Sequence, residues 1–170
     1  MSRRPPPTLK AKALALIAQR EHSRIELRRK LARHRQKLAE RAQASLLEGV
    51  APTVPVPEEG EIDALLDWLA SKDLLSTERF VETRVQARAA RFGNLRIRQE
   101  LAQHGIELDP ETAQQLKASE VARARAVWLK RFGQPALDAA GRAKQMRFLA
   151  ARGFAAEVVR RVVGGVEDPT

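Results

Sequence analysis

One short phrase recurs along the chain, and the residues after it restrict the fold to brief helices with abrupt ends. Leu-Ala-x-(Lys/His/Arg) stands at Leu31–His34, Leu69–Lys72, Leu101–His104 and Leu149–Arg152. In the last three copies the next two residues are Asp73-Leu74, Gly105-Ile106 and Gly153-Phe154. Each pair is a residue that tolerates positive φ followed by an apolar one, which is what a helix stop requires. The central copy belongs to a complete helical sentence, Phe92 to Ile106. Gly93 and Asn94 open it, with Asn94 expected to accept from the free N–H groups of the first turn. Ile97 and Leu101 share one face, and Arg96, Gln99 and Gln103 form a polar stripe on another. Upstream, Arg91-Phe92-Gly93 is echoed by Arg131-Phe132-Gly133. The shared stops and the echo read as degenerate internal repeats of a small helical unit, unevenly spaced.

The remaining punctuation extends that reading. Pro5, Pro6 and Pro7 bar a helix at the start, so residues 1–7 are expected to form a disordered basic arm. Leu9 to Gln19 predicts a first helix. Ser23-Arg24-Ile25-Glu26 has the form of a capping box for a second, which extends to about Leu47. Pro52, Pro55 and Pro57 mark 49–60 as an extended loop. Glu61 to Asp73 predicts a third helix, and Ser76 caps a fourth. Asp109-Pro110-Glu111 starts a short helix to about Ala118. Further helices are expected at Ser119 to Phe132, Arg142 to Arg152 and Ala155 to Val163. No strand is expected. The predicted architecture is all-α, with nine or so helices in three tandem three-helix repeats. The repeats span 8–73 with the loop at 49–60, 76–118 and 119–163, with a tail at 164–170. Such a chain is expected to be elongated and rather flat.

Charge narrows the function. Residues 1–41 hold 13 Lys and Arg against 3 Asp and Glu, a net +10, and the remainder holds 18 of each. The excess therefore sits at the N-terminal end, where a salt-dependent attraction for polyanions or acidic protein surfaces is expected. With no Cys there is no disulfide framework and no thiolate metal site. The three histidines, His22, His34 and His104, lack metal-ligand spacing. His34 and His104 share a repeat position, which suggests a structural role at a helix end. Trp68 and Trp128 fall at apolar helical positions and are expected in cores. No phosphate loop, dinucleotide fingerprint, zinc-protease motif or nucleophile–base pair is present, so neither an enzyme nor a cofactor is expected. No apolar run reaches the roughly 18 residues of a membrane span.

Four blocks together resemble the RecX regulatory proteins of bacteria. They are Ser23-x-x-Glu26-Leu27-x-x-Lys30-Leu31; Leu75 to Val81; Phe92-Gly93-x-x-Arg96-Ile97-Arg98-Gln99-Glu100-Leu101-x-x-x-Gly105-Ile106; and Lys144-x-x-Arg147-Phe148-Leu149-x-x-Arg152-Gly153-Phe154. They lie in collinear order across about residues 9–163. Asn94 and Asp73 depart from the pattern, standing where Pro and Gly are expected, and the Pro-rich loop is also a departure. The resemblance implies tandem three-helix repeats and a cytoplasmic modulator of the RecA recombinase, usually an inhibitor, acting in DNA repair, recombination and the SOS response. It implies binding to the RecA–DNA filament, with suppression of ATP hydrolysis and strand exchange. The expected partners are that filament and single- or double-stranded DNA, with no small-molecule substrate, and a monomer is expected. Candidate contact residues are Arg24, Arg28, Arg29 and Arg33 on the second helix, with Arg96, Lys144, Arg147 and Arg152 in the later repeats. The competing reading is a helical module, of helix-turn-helix type, that binds DNA directly without RecA. Beyond residue 41 the chain carries no net charge, which argues against it.

Overall fold

The computed structural model of the protein describes residues 5–58 and 60–165. Among these the chain is all-helical, with eight α-helices and no strand. They are α1 (Leu9–Ile17), α2 (Arg24–Leu47), α3 (Glu61–Ser71), α4 (Thr77–Ala89), α5 (Asn94–Ala102), α6 (Pro110–Phe132), α7 (Ala139–Ala150) and α8 (Ala156–Gly164). The chain divides into two compact units, Met1–Phe80 and Val81–Thr170. Most of the expected arm, residues 1–4, and the tail from 166 lie outside the described residues.

In the first unit Leu9, Ala13 and Leu16 of α1 meet Leu27 and Leu31 of α2 and Ile62, Leu66 and Leu69 of α3 in one core. Their three- and four-residue spacing puts each set on a single helical face. Thr8 and Ser23 cap α1 and α2, the Ser23 hydroxyl accepting from the Glu26 N–H at 3.1 Å. Trp68 packs at the edge of this core, partly exposed, with the Lys10 ammonium 4.0 Å from its ring centroid. The loop after α2 carries no helix among its described residues, and Arg35 Nε donates to its Pro57 carbonyl at 2.8 Å. His34 does not mark a helix end. It lies inside α2, where its Nε2 meets the Pro7 carbonyl at 2.7 Å. The helix continues there because the phrase at Leu31–His34 is followed by Arg-Gln-Lys and not by a positive-φ stop.

The second unit is built on α6. Leu116, Glu120, Ala124 and Trp128 recur every fourth residue and are all buried. Trp128, Leu149, Phe154, Val158, Val159 and Val163 join α6, α7 and α8 in one core, while α5 packs on α6 and buries Ile97 and Leu101. Trp128 Nε1–H donates to Gln145 Oε1 at 3.1 Å, which satisfies a buried indole. The separate helices expected at 110–118 and 119–132 are one. Ser119 does not cap a new helix; its hydroxyl donates back to the Gln115 and Leu116 carbonyls at 3.0 and 3.3 Å. With no Gly or Pro between Glu111 and Phe132, nothing interrupts the ladder. The seventh helix starts earlier than expected, because Asp138 caps it by accepting from the Gly141 N–H at 2.9 Å.

The three predicted stops form as read. Asp73, Gly105 and Gly153 have φ of 53°, 68° and 80°. The next residue in each case donates to the carbonyl of the phrase's Leu: Leu74 to Leu69, Ile106 to Leu101 and Phe154 to Leu149. Asn94 does not cap α5. Gly93 occupies the cap position, and Asn94 turns its side chain inward instead.

Candidate functional site

The candidate arginines fall into two sets, one in each unit. On α2, Arg24, Arg28, Arg29 and Arg33 are all exposed. Two of them are held by acids of α3: Arg24 reaches Asp67 at 2.7 Å, and Arg28 makes a forked contact with Asp63 at 2.9 and 3.0 Å. The Arg28 guanidinium holds the Asp63 carboxyl below the usual carboxylate range. Arg29 and Arg33, four apart on the same helix, make no ion pair among the described residues. Segment 42–80, with 8 acidic and 2 basic residues, therefore supplies carboxylates that fold back onto α2.

In the second unit, Arg96 and Arg152 are brought together by a backbone clasp. Gly93 N–H donates to the Arg152 carbonyl at 2.9 Å, and Leu95 N–H donates to the Gly153 carbonyl at 3.1 Å. The clasp is close enough that a Cβ on Gly93 would overlap the Gly153 carbonyl, and one on Gly153 would lie 2.6 Å from the Arg96 backbone nitrogen. Glycine is required at both places for this approach, and Gly153 needs it twice because its φ is positive.

Below the clasp lies a polar network that sequence reasoning did not single out. Glu120, buried in α6, accepts from the Asn94 N–H at 2.9 Å, from Asn94 Nδ2 at 2.9 Å and from the Ala155 N–H at 3.3 Å. Arg123, one turn on, donates to the Ala89, Phe92 and Leu116 carbonyls at 3.1, 2.9 and 2.9 Å, to the Ser119 hydroxyl and to Asn94 Oδ1. All its donor nitrogens are thereby engaged. Burial pushes the Arg123 guanidinium below its ordinary value, and the Glu120 charge opposes that shift. The signal for Glu120 was present in the sequence: a carboxylate inside the Leu116–Ala124–Trp128 ladder occupies a core position.

Above the network, cations gather on aromatic rings. The guanidinium carbons of Arg88, Arg91 and Arg96 lie 5.6, 5.8 and 5.3 Å from the Phe92 centroid, and that of Arg152 lies 3.7 Å from the Phe148 centroid. Phe132 meets Phe148 edge-on at 5.1 Å. Burial, and then the charges of Arg91 and Arg131, push the Arg152 guanidinium below its ordinary value. Arg88 is paired with Glu100 at 2.9 Å. Lys144 and Arg147 are exposed on α7, and their side chains make no hydrogen bond or ion pair among the described residues. Among the described residues no group of three or more His, Asp or Glu is placed to hold a metal ion, and no helix is long and apolar enough to cross a membrane.

Comparison with known proteins agrees with this architecture. Residues 78–116 match the second three-helix domain of RecX, and residues 118–163 match the third. The matched segments meet inside α6, so this one helix contributes to both. "Regulatory protein RecX" of Ralstonia pickettii is 45% identical over 167 residues, covering 97% of this chain and 92% of the relative. The protein of that name from Ralstonia nicotianae is 45% identical over 166 residues, covering 96% and 91%. That from Chromobacterium violaceum is 35% identical over 161 residues, covering 95% and 92%.

Proposed function

The chain belongs to the RecX family of regulatory proteins, and from that premise we propose that it modulates RecA by binding the RecA–DNA filament and suppressing its ATP hydrolysis and strand exchange. The observation that carries this reading is the match to regulatory relatives along nearly the whole chain, in a protein whose exposed cations suit a polyanionic assembly. In this reading the protein is a non-enzymatic, cytoplasmic monomer. It needs no cofactor and uses many weak contacts that add along a repeating filament. Arg29, Arg33, Arg96, Lys144, Arg147 and Arg152 are its contact residues. Arg24 and Arg28 contribute less, because Asp67 and Asp63 already neutralise them.

The test is DNA-dependent ATP hydrolysis by RecA on single-stranded DNA, with the protein titrated from far below to equal stoichiometry. Inhibition is expected at substoichiometric amounts, and Arg29→Glu with Arg33→Glu is expected to weaken it while helicity is unchanged. Full-rate hydrolysis at equal stoichiometry, in a preparation that binds DNA tightly by itself, would replace this reading with a directly DNA-binding module.

A further inference from the structure

Arg91, Arg96, Arg131 and Arg152 make no ion pair among the described residues, although three of them crowd the turn between α4 and α5 and the end of α7. Two backbone hydrogen bonds fix the Arg96 segment beside Arg152, and the Phe132–Phe148 contact ties the end of α6, which carries Arg131, to the same place. Gathering like charges this way costs the isolated protein energy, because each cation raises the potential felt by the others. An anion seated among them reverses the sign of that term.

The rings in the cluster already have arginine partners. Arg152 stacks on Phe148, and Phe92 is flanked by Arg88, Arg91 and Arg96. The rings already carry guanidinium groups, so base stacking is not the chief thing the cluster offers. It offers the N–H edges of guanidinium groups, whose fork matches two phosphate oxygens at once. Leu95 is the one large apolar side chain strongly exposed in the Gly93–Leu101 stretch. An acidic protein partner would gain little apolar core from such a surface.

We propose that Arg91, Arg96, Arg131 and Arg152 form a site for the phosphodiester backbone of DNA, read without regard to base sequence. The site deepens the filament reading by naming where the second unit meets nucleic acid, and its test contains no recombinase, so the two stand or fall separately. Asn94, Glu120 and Arg123 are positioning residues for it, since they hold the turn that carries Arg96 against the segment that carries Arg152.

The experiment is fluorescence anisotropy of labelled oligo(dT), oligo(dA) and a mixed-sequence duplex with the full chain, across a series of NaCl concentrations. The variants are Arg91→Gln/Arg131→Gln and, for comparison on α2, Arg29→Gln/Arg33→Gln. Arg91 and Arg131 make no side-chain hydrogen bond or ion pair among the described residues, so the first variant is expected to fold, and circular dichroism checks it. Its affinity is expected to fall about tenfold at roughly 0.1 M salt, and its log K against log[salt] slope to be shallower by about 1 to 2. The loss should be equal for oligo(dT), oligo(dA) and duplex after scaling for charge density. Three results overturn the proposal: no binding by the native chain even at low salt, an unchanged slope in the variant, or a loss confined to one base composition.

Discussion

Glu120 occupies a position that the apolar ladder of α6 reserves for a hydrophobic residue, yet it is a carboxylate with only 4% of its surface exposed. A buried charge is tolerated only where hydrogen bonds replace the lost water, and here two N–H groups of Asn94 and that of Ala155 do so. Truncation would leave those donors buried and unpaired, at about 1–3 kcal/mol each. Glu120→Ala is therefore expected to destabilise the protein by about 3 kcal/mol or more in urea unfolding followed by Trp fluorescence. A loss under about 1 kcal/mol would mean that the network does not hold the turn.

His22 is the corresponding residue in the first unit. Its Nδ1 lies 2.8 Å from the Arg20 carbonyl and its Nε2 lies 2.9 Å from the Lys30 ammonium. An ammonium has no lone pair to offer, so Nε2 accepts, Nδ1–H donates and the ring is neutral. Burial lowers its pKa below the ordinary value. The Arg20 and Lys30 charges act in the same direction, while the Arg20 carbonyl and Glu26 oppose. The unfolded chain thus binds the proton at higher pH than the folded one. His22 stabilises fully above the ordinary imidazole pKa, and that contribution is lost as pH falls from there through the lowered folded value. Thermal unfolding from about pH 8 to pH 5 should show a decline that His22→Gln reduces; superimposable pH profiles would contradict this.

At the scale of elements, the stops were more legible than the starts. Asp73, Gly105 and Gly153 end their helices through local backbone geometry, which the residue itself dictates. Starts are less local, because Ser and Asn can cap a helix or bond within one. Neither Ser119 nor Asn94 caps: Ser119 bonds back along α6, and Asn94 is drawn inward across to Glu120 and Arg123 of α6. In a continuous α6 the amides of Glu120, Val121 and Ala122 donate within the helix, so their hydrogen exchange should be as slow as that of Lys117 and Ala118. Two separate helices would leave the first amides of the second without carbonyl partners and exchanging fast.

At the scale of the whole molecule, counting charge along the chain and counting it by folded unit give different pictures. By position, the net +10 lies within residues 1–41. By unit, the first holds 15 basic and 11 acidic residues, a net +4, and the second holds 16 and 10, a net +6. The zero balance beyond residue 41 comes from the acidic segment 42–80, and is therefore no argument against polyanion binding by the second unit. The sequence alone determined the all-helical class, the helix stops, the core registers and the family resemblance, since each depends on near neighbours or on collinear pattern. Only the tertiary structure decided that Asp63 and Asp67 neutralise two of the four candidate arginines on α2, and that the two Arg-Phe-Gly phrases, marked as repeats, bring Arg91 and Arg131 to Arg152. Those outcomes hang on contacts between segments more than 20 residues apart in most cases, where periodicity carries no information and packing alone selects the partners.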